Sequence, residues 1–352
     1  VTADQGERRW VQEYYGKVLA SSQDLATNAC CASGAPPARI ARALANVHPD
    51  VTSRFYGCGF PIPEVVDGAA VLDLGCGTGR DVYVLSQLVG ASGRVIGLDM
   101  TEEQLAVALA TDDWHRDRFG FERSNVSFHR GFIEDLSFVP DASLDLVVSN
   151  CVVNLSPRKD LVLREVLRVL KPGGEFYLSD VFCDRRLPRE VATDPVLYAE
   201  CLGGAMYDHD FEVLAKQVGF LDPRALQRAA ITIQNPEIEE RVGAARFTSV
   251  TLRLFKLGGL DPRCEDYGQV ATLTRRMPGL GTTFVLDDHH TFELGRPERV
   301  CGNTAAMLAS TRFAPYFRVD GDTSVHYGVF DCADTMAARQ YKAPADATSS
   351  CC

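Results

Sequence analysis

The sequence has no CxxC pair, no cluster of lysine and arginine beyond pairs such as Arg185-Arg186 and Arg275-Arg276, and no apolar run approaching about 18 residues. Each absence closes off a class. Without CxxC spacing, neither a zinc ribbon nor a thioredoxin-like redox motif is indicated. The start "VTADQGERRWVQEYYGKVLA" shows no apolar stretch behind a basic one, so neither secretion nor membrane insertion is expected. At a net charge of -11 the electrostatic footprint of a nucleic-acid binder is missing, and no nucleic-acid partner is expected.

What is present is an ordinary globular composition with one excess. The 352 residues are 46% hydrophobic and 24% charged, enough for more than one core and for two or three domains. Twelve cysteines are spread along the chain. In a short secreted protein they would suggest a disulfide framework. In a long chain without a targeting signal, reduced thiols with a chemical role are the better expectation, and with them a cytoplasmic location. There is no internal repeat, and nothing demands more than a monomer.

Residues 71 to 182 alternate short apolar runs with helix-period stretches, the pattern of a parallel sheet covered by helices. "AAVLDLGCG", "GRVIGLD", "VSFHRG", "LDLVVSN" and "GEFYLSDV" predict five strands in turn. "TEEQLAVALAT" and "RKDLVLREVLRVLKPGG" predict helices, the second stopped by Pro172 and a glycine pair. "PVLYAECLGGAM" predicts a helix carrying Cys201, with Asp194 as its N-cap and Pro195 at its first position. Asp208 is expected to cap a further helix, "DFEVLAKQVGF". From Phe247 onward "TSVTLRLFKL", "GQVATLTRR" and "HYGVFDC" are rich in strand formers and predict a small mixed domain. The expected divisions are mobile N-terminal segments with Cys30 and Cys58 (1–60), a nucleotide-binding core (61–185), a following region (186–246), a C-terminal domain (247–342) and a disordered tail (343–352).

The strongest ligand signal is "VLDLGCGTGR", Val71 to Arg80. Gly75, Gly77 and Gly79, placed after a strand, let the backbone turn tightly and approach a ligand near a helix N-terminus. A dinucleotide fingerprint needs glycine where Arg80 stands, which argues against NAD. The block instead resembles motif I of the class I S-adenosylmethionine methyltransferases. Asp99, followed by Met100, ends the second strand, where a carboxylate can accept both ribose hydroxyl protons. "RGFIEDL" resembles the segment flanking adenine in that class, with Ile133 as an apolar wall and Glu134 as a polar contact. Asp73 and Asn150 join the expected cofactor set.

Cys151 follows the fourth strand beside Asn150, at the carboxyl end of the sheet where open α/β folds bind ligands. It is expected to face the transferable methyl. Cys58 sits in the Gly- and Pro-rich "FYGCGFPIP", and Cys30 and Cys31 in "NACCASGAPP". Thiols gathered around a methyl-donor pocket suggest a soft, thiophilic acceptor.

Over nearly its whole length the chain resembles the arsenite S-adenosylmethionine methyltransferases of algae, animals and bacteria, and the algal members most. The blocks that carry the resemblance are "RFYGCG", "LDLGCG", "GRVIGLDMTEEQL", "SNCVVNLSP", "ECLGGAMY", "NPEI", "CGNTAAML" and "HYGVF". The resemblance implies a Rossmann-like α/β core, an arsenic-binding region over 186–246 and a small C-terminal domain. It implies that Cys151 and Cys201 hold As(III), that Cys30 and Cys58 complete the thiol set, and that Tyr56 and Gly57 lie against the cofactor.

The chemistry suits those residue types. Thiolates outcompete oxygen ligands for soft As(III), and three of them leave its lone pair exposed to the electrophilic methyl of S-adenosylmethionine. Methylation raises arsenic to the pentavalent state, and Cys30 and Cys58 are expected to return two electrons by closing a disulfide that thioredoxin or glutathione reopens. The expected products are mono-, di- and trimethylated arsenicals. Two other readings carry different signatures. An organic acceptor would need a base, for which His209 in "MYDHDF" is the candidate. A non-catalytic zinc or metalloid module would use Cys264, Cys301, Cys332 and His326.

Overall fold

The computed structural model describes residues 3–18 and 35–331. Cys30, Cys31, Cys332 and the tail 343–352 lie outside the described residues.

The sheet expected from the apolar runs is present and larger than expected. Strands β1 (Ala70–Leu74), β2 (Arg94–Asp99), β3 (Val126–Arg130), β4 (Leu144–Asn150) and β5 (Leu170–Cys183) run parallel. The short β6 (Met206–Tyr207) pairs in parallel with the end of β5, while β7 (Arg224–Ile231) and β8 (Phe247–Phe255) extend the sheet antiparallel. The order is β3-β2-β1-β4-β5-β8-β7, so strand order reverses between β1 and β4. That reversal opens the crevice in which doubly wound folds bind ligands.

In chain order the helices are α1 (Ala3–Glu13), continued by a π-helical turn at Tyr14–Val18, α2 (Ala38–Leu44), α3 (Pro49–Thr52), α4 (Arg80–Val89), α5 (Glu102–Ala110) and α6 (Asp112–Phe119). They continue with α7 (Lys159–Val169), α8 (Arg189–Ala192), α9 (Pro195–Ala199), α10 (Asp208–Val218), α11 (Pro236–Val242) and α12 (Gly302–Ala309). Apolar residues of α7 and α10 pack on one face of the sheet, and those of α2, α4 and α5 on the other. Covered on both sides, β1 is buried at every position, which is why it reads as a near-continuous apolar run.

Four local expectations are corrected. Helix α7 ends at Val169, ahead of Pro172, because the residues before a proline favour extended backbone; β5 starts at Leu170 and loops Lys171–Gly174 out of register. Asp194 caps α9 as expected, accepting from the Leu197 N–H at 2.9 Å, but the helix stops at Ala199 and Cys201 lies beyond it. Tyr207, not Asp208, is the N-cap of α10, and Asp208 is its first residue. The strand Phe247–Phe255, expected to open the C-terminal domain, pairs along its whole length with β5 in the main sheet.

Beyond β8 the chain builds small antiparallel sheets around Phe284, Phe292 and Phe313. Charge docks this unit on the core: the fully buried Arg253 of β8 pairs with Glu64 and lies 3.7 Å from Glu175, which also pairs with Arg312.

Candidate active site

Past the end of β1 the chain makes the turn its glycines permit. Gly75, Gly77 and Gly79 have φ of 65°, 53° and 86°, in the left-handed region, and Gly79 is the N-cap of α4. A β-carbon on Gly75 would stand 2.4 Å from Val152, so this residue is needed for close approach as well as for its φ. A β-carbon on Gly77 would meet nothing within 4 Å, because Gly77 faces an open cavity. Asp99, ending β2, fixes the loop: one carboxylate oxygen accepts from the Gly77 N–H and the other from the Thr101 N–H, both at 2.8 Å.

Asp73, Gly75, Gly77, Asp99, Met100, Ile133, Glu134, Asn150 and Tyr56, all expected at the cofactor, line that cavity, and so does Cys151. Gly57 and Gly79 do not. Gly57 packs where a β-carbon would collide with Phe55 and Asn150, and Gly79 serves the helix start. Burial raises the carboxyl of Asp73 well above its ordinary range, and the neighbouring charge of Asp81 adds to it. Burial also pushes Asp99 upward, against the pull of its backbone hydrogen bonds. Arg8, Arg54 and Arg80 line the same cavity, so its walls carry both signs of charge, and its glycine cradle leaves room for a ligand such as S-adenosylmethionine, which carries a carboxylate as well as cationic groups.

Three cysteines converge in a buried cluster that meets the cavity at Cys151. Cys58 and Cys151 are joined by a disulfide with a Cα–Cα distance of 5.9 Å, and the Cys201 sulfur donates to the Cys151 carbonyl at 3.2 Å. In this structure Cys58 is bonded to Cys151; the disulfide expected between Cys58 and Cys30 falls on a residue outside the described ones. All three belong to one buried apolar cluster with Leu197, Leu202, Ile238 and Phe247, and Cys183 is a fourth member that no motif flagged. Cys151 and Cys201 adopt left-handed backbone, φ 56° and 61°. For residues with a side chain this is sparsely populated and strained. Cys201 takes the position after α9 that glycine usually fills, its N–H donating to the Tyr198 carbonyl at 3.1 Å.

Neighbouring groups hold each cysteine segment. The Asn150 amide accepts from the Gly59 N–H at 3.2 Å and donates to the Gly59 carbonyl at 2.9 Å and to Asp81 at 3.0 Å. It pins the Cys58 loop beside the donor cavity, and the Ser249 hydroxyl adds a bond to the Cys58 carbonyl at 3.0 Å. The turn after Cys151 is held by Lys159, whose ammonium donates to the Asn154 and Ser156 carbonyls at 3.1 and 2.9 Å. Asp180 receives the Asn154 side-chain amide at 2.7 Å. Burial pushes Lys159 down to about 8 and Asp180 up to about 6. Gly204 packs this turn against the Cys201 segment: a β-carbon there would stand 2.1 Å from the Asn154 carbonyl.

Residues 3–18 contribute what the motifs did not announce: Arg8, Val11 and Tyr15 line the same cavity. The other candidates lie elsewhere. His209 is exposed and its N–H is taken by Asp208 at 2.7 Å. Cys301 caps α12, accepting from the Thr304 N–H at 3.5 Å, and His326 meets Glu265 at 3.0 Å. Among the described residues no group of His, Cys, Asp or Glu is arranged to hold a metal ion, so Cys264, Cys301 and His326 do not assemble the zinc module considered above.

A glycine turn at the sheet's reversal point and a cavity lined by strand-end carboxylates define a Rossmann-like methyltransferase, and residues 66–231 match the family described as a methyltransferase domain. Comparison with whole proteins narrows the class. Over 344 residues, 97% of this chain and 99% of the other, it is 55% identical to an arsenite methyltransferase of Aquipseudomonas alcaligenes. It is 46% identical to the human arsenite methyltransferase over 314 residues, 88% of this chain and 82% of that protein. The crystal structure of an arsenic(III) S-adenosylmethionine methyltransferase from Chlamydomonas reinhardtii superposes with a TM-score of 0.81 at 50% identity, covering 84% of this chain and all of that one. The chain belongs to the arsenite methyltransferase family.

Proposed function

We propose that the protein methylates trivalent arsenic held by its cysteine thiolates, and that Cys58, Cys151 and Cys201 are the ligands, with Cys30 serving the first methylation. The observation that carries this reading is the convergence of three cysteines from distant segments in one buried cluster, with Cys151 also lining the donor cavity. S-adenosylmethionine, when bound, supplies a methyl group on a sulfonium, an electrophile that a lone pair attacks without help from a base. Asp99 and Glu134 would hold its polar groups, Ile133 its adenine, and Gly75 and Gly77 its backbone-facing side.

The protein's share of the chemistry is alignment and electron supply. Thiolates fix As(III) with its lone pair toward the cavity, and orienting two reactants in this way is worth an effective molarity of about 10⁵ M or more. Arsenic accepts the methyl and becomes formally pentavalent. Cys58 and Cys151 then return two electrons by forming their sulfur–sulfur bond as both leave arsenic, and an external thiol displaces Cys201 so that methylated arsenic leaves in the trivalent state. An external thiol, thioredoxin or glutathione, reopens that bond by exchange. We assign this cycle to a monomer in the cytoplasm, where reducing conditions keep the thiols available.

The test is incubation with arsenite, S-adenosylmethionine and a thiol reductant, followed by separation of arsenic species. Mono- and dimethylated arsenicals are expected; their absence overturns the reading.

A further inference from the structure

Resting on that reading, we propose that Tyr15, with Tyr14, is a positioning residue through which filling the donor cavity and capturing arsenic at Cys201 favour one another. The geometry that points to it is a strap between the two sites. One edge of the strap lies on the donor cavity. Arg8 pairs with Glu134 at 3.3 Å and stacks over Phe132 at 4.7 Å; Val11 and Tyr15 line the wall. Gln104 donates to the Tyr15 carbonyl at 3.0 Å, and the Tyr15 ring meets that of Tyr56 edge-on at 5.4 Å.

The other edge grips the segment that delivers Cys201. The Tyr15 hydroxyl donates to the Ala199 carbonyl at 2.9 Å, and the Tyr14 hydroxyl bonds the Glu200 carboxylate. Trp10 packs edge-on against Tyr198 at 6.2 Å. Residues 198 to 200 immediately precede the strained Cys201. Consecutive tyrosines reach this edge from a π-helical turn, Tyr14–Val18, a rare geometry that is frequent at functional sites.

Tyr15 belongs to both edges, its ring to the cavity and its hydroxyl to Ala199. A ligand in the cavity orders the strap through the ring, and the ordered strap holds the Cys201 segment through the hydroxyl. Arsenic bound at Cys201 orders the same strap from the other end. The cost of ordering is met once for two ligands, which is positive coupling, and the factor must be equal in both directions.

The test uses the reduced full-length protein, S-adenosylhomocysteine as the donor-site probe and phenylarsenite as the thiol-site probe, with affinities measured by titration calorimetry. In the wild type, saturating S-adenosylhomocysteine should tighten phenylarsenite binding about fivefold or more, and the reciprocal titration should give the same factor. Tyr15→Phe keeps the ring and deletes the hydroxyl, so the factor should fall toward one while each ligand alone still binds. Tyr14→Phe should reduce it in part. A merely structural loss weakens both affinities and leaves their coupling, so an unchanged factor in Tyr15→Phe overturns the inference. Wild-type binding of both probes without coupling overturns it alone. Failure of the wild type to bind phenylarsenite overturns the proposed function as well.

Discussion

The thiol of Cys201 donates to the backbone carbonyl of Cys151 at 3.2 Å, so two segments fifty residues apart in sequence present their cysteines as one unit. Serine at 201 keeps a hydroxyl donor for that carbonyl but replaces a soft ligand with a hard one. Cys201→Ser should therefore unfold within about 1 kcal/mol of the wild type in urea. It should bind S-adenosylhomocysteine normally and form no methylated arsenic. Cys151→Ser should be equally inactive. Detectable turnover in either variant would remove that residue from the ligand set.

Glycines 75 and 77 separate backbone from ligand effects. Gly75→Ala places its methyl against Val152 and should lower stability by about 2 kcal/mol or more. Val152→Ala should recover part of that loss by removing the obstructing methyls. Gly77→Ala meets no protein atom, so its stability cost should stay near the 1 kcal/mol of a left-handed alanine, whereas its methyl enters the cavity and should weaken S-adenosylhomocysteine binding more than tenfold. Thermal melts and calorimetry of these variants check both halves.

Asn150→Asp is nearly isosteric but turns the amide that donates to the Gly59 carbonyl and Asp81 into a third acceptor facing them. The Cys58 loop should loosen. Oxidation of reduced protein should then close the Cys58–Cys151 bond several-fold more slowly, as measured by mass spectrometry of alkylated peptides, while Cys201 stays equally protected from alkylation.

His115 predicts an acid limit. Its Nε2 accepts from the His48 N–H at 3.0 Å and its Nδ1 bonds the Thr111 carbonyl at 2.7 Å, so the buried ring is neutral. Burial holds its pKa down at about 4, against about 6.5 in the unfolded chain. Between those values the unfolded state takes up a proton that the folded state refuses. The stability that depends on the neutral ring is therefore intact above about 6.5 and is lost as pH falls toward 4. Because His48 caps α3 and the Val51 carbonyl receives the Thr78 hydroxyl at 3.0 Å, the loss should reach the glycine loop. Urea midpoints across this range should fall more steeply for wild type than for His115→Gln; parallel curves would refute the assignment.

The parts of this site legible in sequence are those whose determinants are local. A glycine turn after an apolar strand, with a carboxylate at the next strand end, is encoded within about thirty residues. Long-range choices were not legible. Phe247–Phe255 has the composition of a strand, but only pairing with β5 decides which sheet it joins. Cys58 lies 93 residues from Cys151, and nothing in its neighbourhood names that partner over Cys30. The sequence predicts a continuous helix over "PVLYAECLGGAM" because Cys201 gives no stop signal of its own; the helix ends at Ala199 and Cys201 takes the left-handed position beyond it. The strap at Tyr14 and Tyr15 carries no motif, since its partners lie far off in sequence, on α5, at Tyr56 and at the end of α9.

The left-handed backbone at Cys201 also bears on the protein's stability. At that helix end glycine is the residue the backbone prefers, so Cys201→Gly would relieve a local conflict of about 1 kcal/mol while discarding a thiol. The discarded thiol is fully buried and donates to the Cys151 carbonyl, so a cavity and a lost hydrogen bond offset that relief: the cysteine supplies packing in exchange for the backbone conformation it is forced into.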